Sequence, residues 1–266
     1  MGLSINYGKT EYIIFHKIQN KITEDIPQVL CDGNIIKKVS NFKYLGVFFD
    51  ENFTFQKHFE HVSSRVSGAV GCILQMKRLV NVRMFKILIN SFVFSIIDYC
   101  FPIWGKISQT NLTILKNKIN SCLGGYFYPY LCNKFNKLNR IAHNYQNEQF
   151  NIVHLNYTEL WEKCNLLSVH ERLQYFNAIT AYKAISTNLV PDLSELFIFG
   201  VSDRTRKVIL PNHNTEIYKK SPIFQAIVSW NSLNFEAREF GLSLNRFKRV
   251  VDTWLLAERD DEFVPR

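Results

Sequence analysis

Two hydrophobic rhythms divide the chain. Near its start the apolar residues come in short runs bounded by turn formers. Glu11-Tyr12-Ile13-Ile14-Phe15-His16 reads as a strand, and Gly8-Lys9-Thr10 before it reads as a turn that presents a lysine. Residues 18–27 are polar and end at Pro27, which makes them a loop. Val29-Leu30-Cys31 and Asn34-Ile35-Ile36 flank Asp32-Gly33, the pattern of a tight hairpin. Residues 41–50, Asn-Phe-Lys-Tyr-Leu-Gly-Val-Phe-Phe-Asp, form a nearly continuous apolar run that Asp50-Glu51-Asn52 stops. Such a run predicts a strand buried on at least one face. Gly46 in its middle points to a bulge or to a close approach to the backbone.

From Phe55 onward the period lengthens. Phe55, Phe59, Val62, Val66, Ala69, Ile73 and Met76 are spaced three or four apart, one face of a long amphipathic helix, with Lys57, Ser64, Arg65 and Arg78 off that face. Asn81 can cap a second helix running to about Ile97, which is apolar nearly all round and is expected at the centre of its bundle. Pro102 ends it. A third helix, from about Asn111 to Leu123, carries Lys116 and Lys118 and is expected to stop at Gly124-Gly125. Residues 126–150 are aromatic, Asn-rich and weakly periodic, a linker or irregular excursion. A short helix is expected over Thr158–Asn165. Ser168-Val169-His170-Glu171 fits a capping box for the next helix, which ends before Asn188 and Pro191. Thr205–Leu210 is a candidate strand. Ser221-Pro222 opens a helix through Trp230, and Ser243 caps a last one carrying Phe247, Val250, Val251, Trp254 and Leu255. The fold class is α+β: a small antiparallel sheet, then a mostly helical remainder.

Composition adds little until charge is mapped. The 266 residues suit one large domain or two small ones, and 47% hydrophobic content is ample for a core. The six cysteines have no C-x-x-C pair and read as reduced, mostly buried thiols of an intracellular protein, in nucleus or cytoplasm. No apolar run reaches the ~18 residues needed to span a bilayer, so no membrane partner is expected. The first six residues do not read as a signal peptide, and Asn6 stands where a myristoylation motif needs Ser or Thr. The net charge of +9 is uneven. Residues 1–60 are neutral, residues 61–140 carry eleven basic side chains against one acid, Asp98, and residues 141–266 are at −1. A surplus of +10 in eighty residues is the footprint of an element that binds a polyanion.

Catalytic motifs are sparse. No Walker loop, G-x-S-x-G or H-E-x-x-H occurs. His58 and His61 have a helical spacing that can hold a metal, but no further clustered ligand accompanies them. Asp192 and Asp203 are two acids at loop positions, and Asp260-Asp261 lies in a charged tail; neither pair makes a site by itself.

Several segments together resemble a known family. Asn6-Tyr7-Gly8-Lys9-Thr10-Glu11, a strand, an Asp-Gly hairpin and then Phe42-Lys43-Tyr44-Leu45-Gly46-Val47 are similar to non-LTR retrotransposon reverse transcriptases, especially jockey-like LINE elements. Asp98-Tyr99-Cys100 with Trp104-Gly105 resembles the Y-x-x-x-x-W-G element of the family's helical thumb. Leu166-Leu167-Ser168-Val169-His170-Glu171-Arg172, Ser221-Pro222, Trp230-Asn231-Ser232-Leu233 and Phe247-Lys248 resemble its tail.

The resemblance implies a palm end and primer grip over 1–54, a basic helical thumb over 55–125, a linker over 126–156 and a helical C-terminal region over 157–266. It makes Lys9 the palm-end lysine and Lys43, Tyr44, Leu45 and Gly46 the primer grip. Arg65, Lys77, Arg78, Arg83 and Lys86 would then track phosphates of a primer–template duplex. The family's polymerase centre needs an Asp on an early palm strand and a [FY]-x-D-D hairpin, whose carboxylates hold two Mg²⁺ ions. Neither is in these 266 residues. The chain is therefore expected to be a C-terminal part of such a polymerase, inactive alone. It needs no cofactor of its own, since Mg²⁺ belongs to the complete enzyme. Its expected partners are RNA/DNA duplex and the missing fingers and palm. The alternative is a co-opted module that binds nucleic acid or protein without catalysis.

Overall fold

Asp32 and Gly33, both at positive φ (48° and 77°), reverse the chain in a two-residue turn. The computed structural model describes residues 5–16, 28–142, 157–186, 191–200, 205–212, 215–239 and 241–261, with backbone only over 129–142, 158, 191–192 and 258–261. They divide into two compact units, Met1–Val62 and Ser63–Arg266. The fold is mixed and mostly helical, with a few short strands.

Among its described residues the first unit holds three two-stranded sheets. β1 (Glu11–Tyr12) is shorter than the strand expected to reach His16. It pairs in parallel with β4 (Lys37–Lys38), while β2 (Leu30–Cys31) and β3 (Asn34–Ile35) form the expected Asp-Gly hairpin. The run at 41–50 is not one buried strand. It is a second hairpin, β5 (Asn41–Tyr44) against β6 (Val47–Asp50), with Phe42 opposite Phe49 and Lys43 opposite Phe48. The chain turns at Leu45 and Gly46, with φ of 45° and 86°, the doubly left-handed geometry that suits the twist of a two-residue hairpin. Leucine is uncommon there, which is why the sequence hides the turn. Val47 is buried and Lys43, Tyr44 and Leu45 are exposed.

Asp50 ends β6 and starts the first helix. Its carboxylate accepts the amides of Asn52 (3.1 Å), Thr54 (2.9 Å) and Phe55 (2.6 Å). Phe53 and Phe55 have φ of 52° and 54°, a conformation that costs a bulky residue about 1–2 kcal/mol. The triple acceptance holds them there. α1 (Gln56–Gln75) then runs across the division between the units. Phe55, Phe59, Val62, Val66, Val70 and Ile73 are its buried face, close to the predicted stripe.

In the second unit α2 (Val82–Leu88) starts where Asn81 Oδ1 accepts the Met84 amide at 2.9 Å. It passes through one π-helical stretch, Ile89–Phe94, into α3 (Ser95–Asp98). Phe85, Ile89, Val93, Phe94 and Ile97 are buried, but Val82, Met84, Ile87 and Phe92 are exposed. This segment is therefore not the all-round-buried centre its composition predicts; the apolar residues split into a packed face and an open one. Cys100, at φ 52°, breaks the helix, and α4 (Phe101–Trp104) follows with Pro102 in its first turn.

The third helix, α5 (Gln109–Ala142), does not stop at Gly124-Gly125. The two glycines lie against neighbours rather than at an end. A Cβ on Gly125 would come 2.7 Å from Leu74 Cδ2, and one on Gly124 would come 3.3 Å from the Tyr157 ring. The helix thus covers 126–142, where composition predicts a linker; residues 143–156 lie outside the described residues.

The remainder is α6 (Tyr157–Lys163), α7 (Val169–Ser186), α8 (Pro191–Ser194), α9 (Glu216–Lys219), α10 (Pro222–Ser232) and α11 (Leu244–Asp261). Its core joins α7, α10 and α11 through Ala178, Ala181, Ala226, Ile227, Trp230, Phe247 and Val251. The buried alanines leave room for the large rings: Tyr182 and Phe247 stack at 4.3 Å and Trp230 lies 6.0 Å from Phe247. The three expected caps form. Ser168 and Glu171 exchange side-chain-to-amide bonds of 2.6 and 3.3 Å, Ser221 Oγ accepts the Phe224 amide at 3.3 Å, and Ser243 Oγ accepts the Arg246 amide at 3.3 Å. The candidate strand over 205–210 reduces to one bridge, Phe199 to Val208. The Ile209 amide donates across this bridge to the Ile198 carbonyl at 2.7 Å, and the Val208 amide and carbonyl are both taken by the Asn231 side chain, at 2.8 Å each.

Candidate nucleic-acid interface

The β5–β6 hairpin carries the four residues expected to form a primer grip, and one of them, Lys43, shares the Phe48 ring with two residues of α1. Lys43 Nζ lies 5.1 Å from the Phe48 ring centroid and Lys57 Nζ, from α1, lies 5.4 Å from it. The His61 ring meets the same ring edge-on at 5.5 Å. Tyr44 stacks on Phe42 at 6.3 Å, and Tyr44 and Leu45 are 57% and 72% exposed at the tip. Gly46 is there for its positive φ, which the turn requires. The result is a projecting tip with exposed backbone, aromatic and apolar side chains, and two lysines behind it. That combination suits a sugar–phosphate strand: rings for sugars or bases, ammonium groups for phosphates.

Below the tip, His58 is 3% exposed, and its Nδ1 faces the Phe48 amide at 3.5 Å. Burial, then His61 and Lys43, push its pKa down to about 4, so it is neutral at pH 7. The His58–His61 pair therefore belongs to the packing of the hairpin on α1, and among the described residues no cluster of three or more metal-ligating side chains occurs. Of the other acids noted in the sequence, Asp203 and the side chains of Asp192, Asp260 and Asp261 lie outside the described residues.

Lys9 closes a single 3-10 turn, Tyr7–Lys9, and is exposed. The turn is tied down by neighbours: Thr10 Oγ1 donates to the Asn6 carbonyl at 3.0 Å and the Tyr7 hydroxyl donates to Asp32 at 2.7 Å. The Tyr7–Lys9 turn and the Asp-Gly hairpin thus meet across 25 residues of sequence.

The five basic residues assigned to phosphates do not form one group. Lys77, Arg78 and Arg83 lie within seven residues of one another around the α1–α2 turn. Arg65 stands ten residues before the end of α1, about 15 Å along its axis at 1.5 Å per residue. Arg65, Arg78 and Arg83 are exposed. Lys77 is half-buried and donates to the Gly125 carbonyl at 3.3 Å, which makes it an α1–α5 tie. Lys86 is half-buried too, and its charge opposes the burial that pushes the Cys164 thiol up to about 11. Cys164 and Cys122 are buried, whereas Cys31 and Cys100 are half-buried and Cys72 is exposed, so the thiols are less buried than composition predicts.

One partnership escaped the sequence reading. Asp98, the lone acid among eleven bases, takes Arg172 of α7 in a two-pronged ion pair, with Nε donating to Oδ1 at 2.8 Å and Nη2 to Oδ2. The guanidinium also lies 3.9 Å over the Phe94 ring. Burial raises the Asp98 pKa, and Arg172 opposes the rise. Beside it Trp104 Nε1 donates to the Tyr99 carbonyl at 2.8 Å, and Gly105 leaves space that a Cβ would take 2.6 Å from Leu173. The Y-x-x-x-x-W-G and L-L-S-V-H-E-R segments are thus packed on each other. The signal was present: a solitary acid in a basic segment marks a specific partner.

No helix among the described residues is long and apolar enough to cross a membrane. Comparison with protein-family models, curated proteins and solved structures gives no match to this chain.

Proposed function

We propose that this chain is the duplex-gripping C-terminal part of a LINE-type reverse transcriptase, binding RNA/DNA primer–template without supplying the catalytic carboxylates. One observation carries the reading. The segment that resembles the primer grip is an exposed hairpin with a two-residue turn and a cationic aromatic flank, and residues 61–140, further along the chain, hold the +10 surplus. Lys43, Tyr44, Leu45 and Gly46 contact the primer strand, and Arg65, Arg78 and Arg83 meet phosphates. Lys77 and Lys86 contribute charge from half-buried positions. Lys9 is kept for the incoming triphosphate of a complete enzyme. With no [FY]-x-D-D pair, the chain binds and does not transfer phosphoryl groups.

Fluorescence anisotropy with a labelled RNA/DNA hairpin duplex tests this. Replacing Lys43 and Tyr44 together by Ala lowers affinity about tenfold or more, as for a lost charged contact plus a stacking contact. Unchanged affinity, or Mg²⁺-dependent primer extension by this chain alone, overturns the reading. A second reading, a non-catalytic module that docks a protein, is favoured by the open apolar face of Val82, Met84, Ile87 and Phe92. A chain that binds no duplex but co-elutes with a separately expressed fingers–palm fragment supports that one.

A further inference from the structure

A pocket of about 270 Å³ lies where the start of α7 meets α11. Leu167, Arg172 and Tyr175 line it from one side and Lys248, Arg249 and Asp252 from the other. Arg172 is fixed before any ligand arrives, held by Asp98 and resting on Phe94. The remaining polar groups are less tied down, although the Arg172 charge acts on Asp252 against its burial. Among the described residues no hydrogen bond or ion pair engages Lys248, Arg249, Asp252 or the Tyr175 hydroxyl. Lys248 and Asp252 stand four apart on α11, the spacing at which opposite charges pair across a helical turn, yet they form no salt bridge. Four polar groups around one recess, half-buried in three cases and without a hydrogen bond or salt bridge among the described residues, are what a ligand site looks like before it is filled.

The chemistry of the lining narrows the ligand. With Arg172 balanced by Asp98, Lys248 and Arg249 leave the pocket cationic even against Asp252. A phosphate monoester carries between one and two negative charges near neutral pH and accepts bonds on three oxygens, which matches an ammonium and a guanidinium side by side. A carboxylate in the same recess suits a donor on the same molecule, such as a ribose hydroxyl. The Tyr175 ring gives a base a surface to lie on. We propose that the α7–α11 pocket binds a nucleotide through its phosphate monoester, with Lys248 and Arg249 on the phosphate and Asp252 on a sugar hydroxyl. The site is in the tail segment, to which no role has been assigned above, and it does not depend on the duplex-gripping reading.

Titration calorimetry of the full chain at low salt tests it with AMP, adenosine and inorganic phosphate as probes. AMP binds, and adenosine binds about tenfold or more weakly for want of the charged contacts. Lys248→Ala and Arg249→Ala each weaken AMP severalfold with no change in melting temperature, since both side chains are clear of the core. Asp252→Asn separates the roles by sign. It weakens AMP, which loses its hydroxyl partner, and tightens inorganic phosphate, which loses a repelling charge. A 5′-phosphorylated single-stranded oligonucleotide is then set against bound AMP. Displacement by it and not by the 5′-hydroxyl strand makes the ligand a strand end; displacement by neither makes it a free nucleotide. Either result upholds the pocket. No AMP binding, insensitivity to both cation removals, or tightening of AMP by Asp252→Asn overturns it, and so does equal displacement by both strands.

Discussion

The two units are held by different means. Among its described residues the first has few buried apolar side chains, Ile36, Val47, Phe55, Phe59 and Val62, and no strand longer than four residues. Polar side chains set its shape: Asp50 gathers three amides, Tyr7 reaches Asp32, and Asn52 Nδ2 donates to the His16 carbonyl at 3.0 Å. The second packs Trp104, Trp230, Phe85, Phe94, Phe101 and Phe247 out of solvent altogether. On the function proposed above, the first unit meets a sugar–phosphate backbone, which needs projecting side chains, so that surface cannot also be a core. Turns locked by hydrogen bonds give it a defined shape without burial. The helical unit can commit its apolar residues to packing and keep Arg65, Arg78 and Arg83 outside.

Breaking the ion pair in the packed unit has the largest expected effect. Asp98→Ala leaves the Arg172 guanidinium buried without its partner, and urea denaturation should show a loss of about 3–5 kcal/mol. A loss under about 1 kcal/mol would mean that the pair is solvated like a surface one.

In the first unit the largest effect comes from pH. His58 has a folded pKa near 4, below its ordinary value of 6.5, so the fold favours the neutral ring. Its contribution is fully present above pH 6.5 and is lost as pH falls towards 4, up to about 3 kcal/mol. His58→Gln, which keeps an acceptor for the Phe48 amide, should flatten the loss of stability between pH 7 and pH 5. A variant as acid-sensitive as the parent would remove His58 from the account.

The hairpin tip comes next. Gly46→Ala puts a Cβ at φ 86° and should cost about 1–2 kcal/mol, read as faster amide exchange over residues 43–48. Smallest in stability are the exposed arginines: Arg65→Ala, Arg78→Ala and Arg83→Ala should each stay within about 0.5 kcal/mol of the parent.

How much of this the sequence shows depends on how local the cause is. The caps at Asn81, Ser168, Ser221 and Ser243 and the Asp-Gly hairpin are legible because neighbouring residues determine them. The stripe on α1 is legible for the same reason. Three features fail because their cause is distant. Gly124-Gly125 reads as a stop until Leu74 and Tyr157 are seen against it. The apolar residues of α2 read as a buried core until one face is left without a neighbour. Leu45 at positive φ has no sequence signal, since only the pairing of β5 with β6 demands it. The residues of the candidate interface were nameable in advance, but Lys77 could not be recognised as a structural tie, because its partner is a backbone carbonyl 48 residues away.

The central claim is that the basic segment and the hairpin before it bind a duplex through its phosphates. The most direct measurement is the affinity of the chain for an RNA/DNA duplex across a salt series, compared with the Arg65→Ala/Arg78→Ala/Arg83→Ala variant. The account predicts that log K falls linearly with log salt, by about 0.9 per phosphate engaged, and that the triple variant is shallower by about 3. A flat response in the parent, or an unchanged slope in the variant, would contradict it.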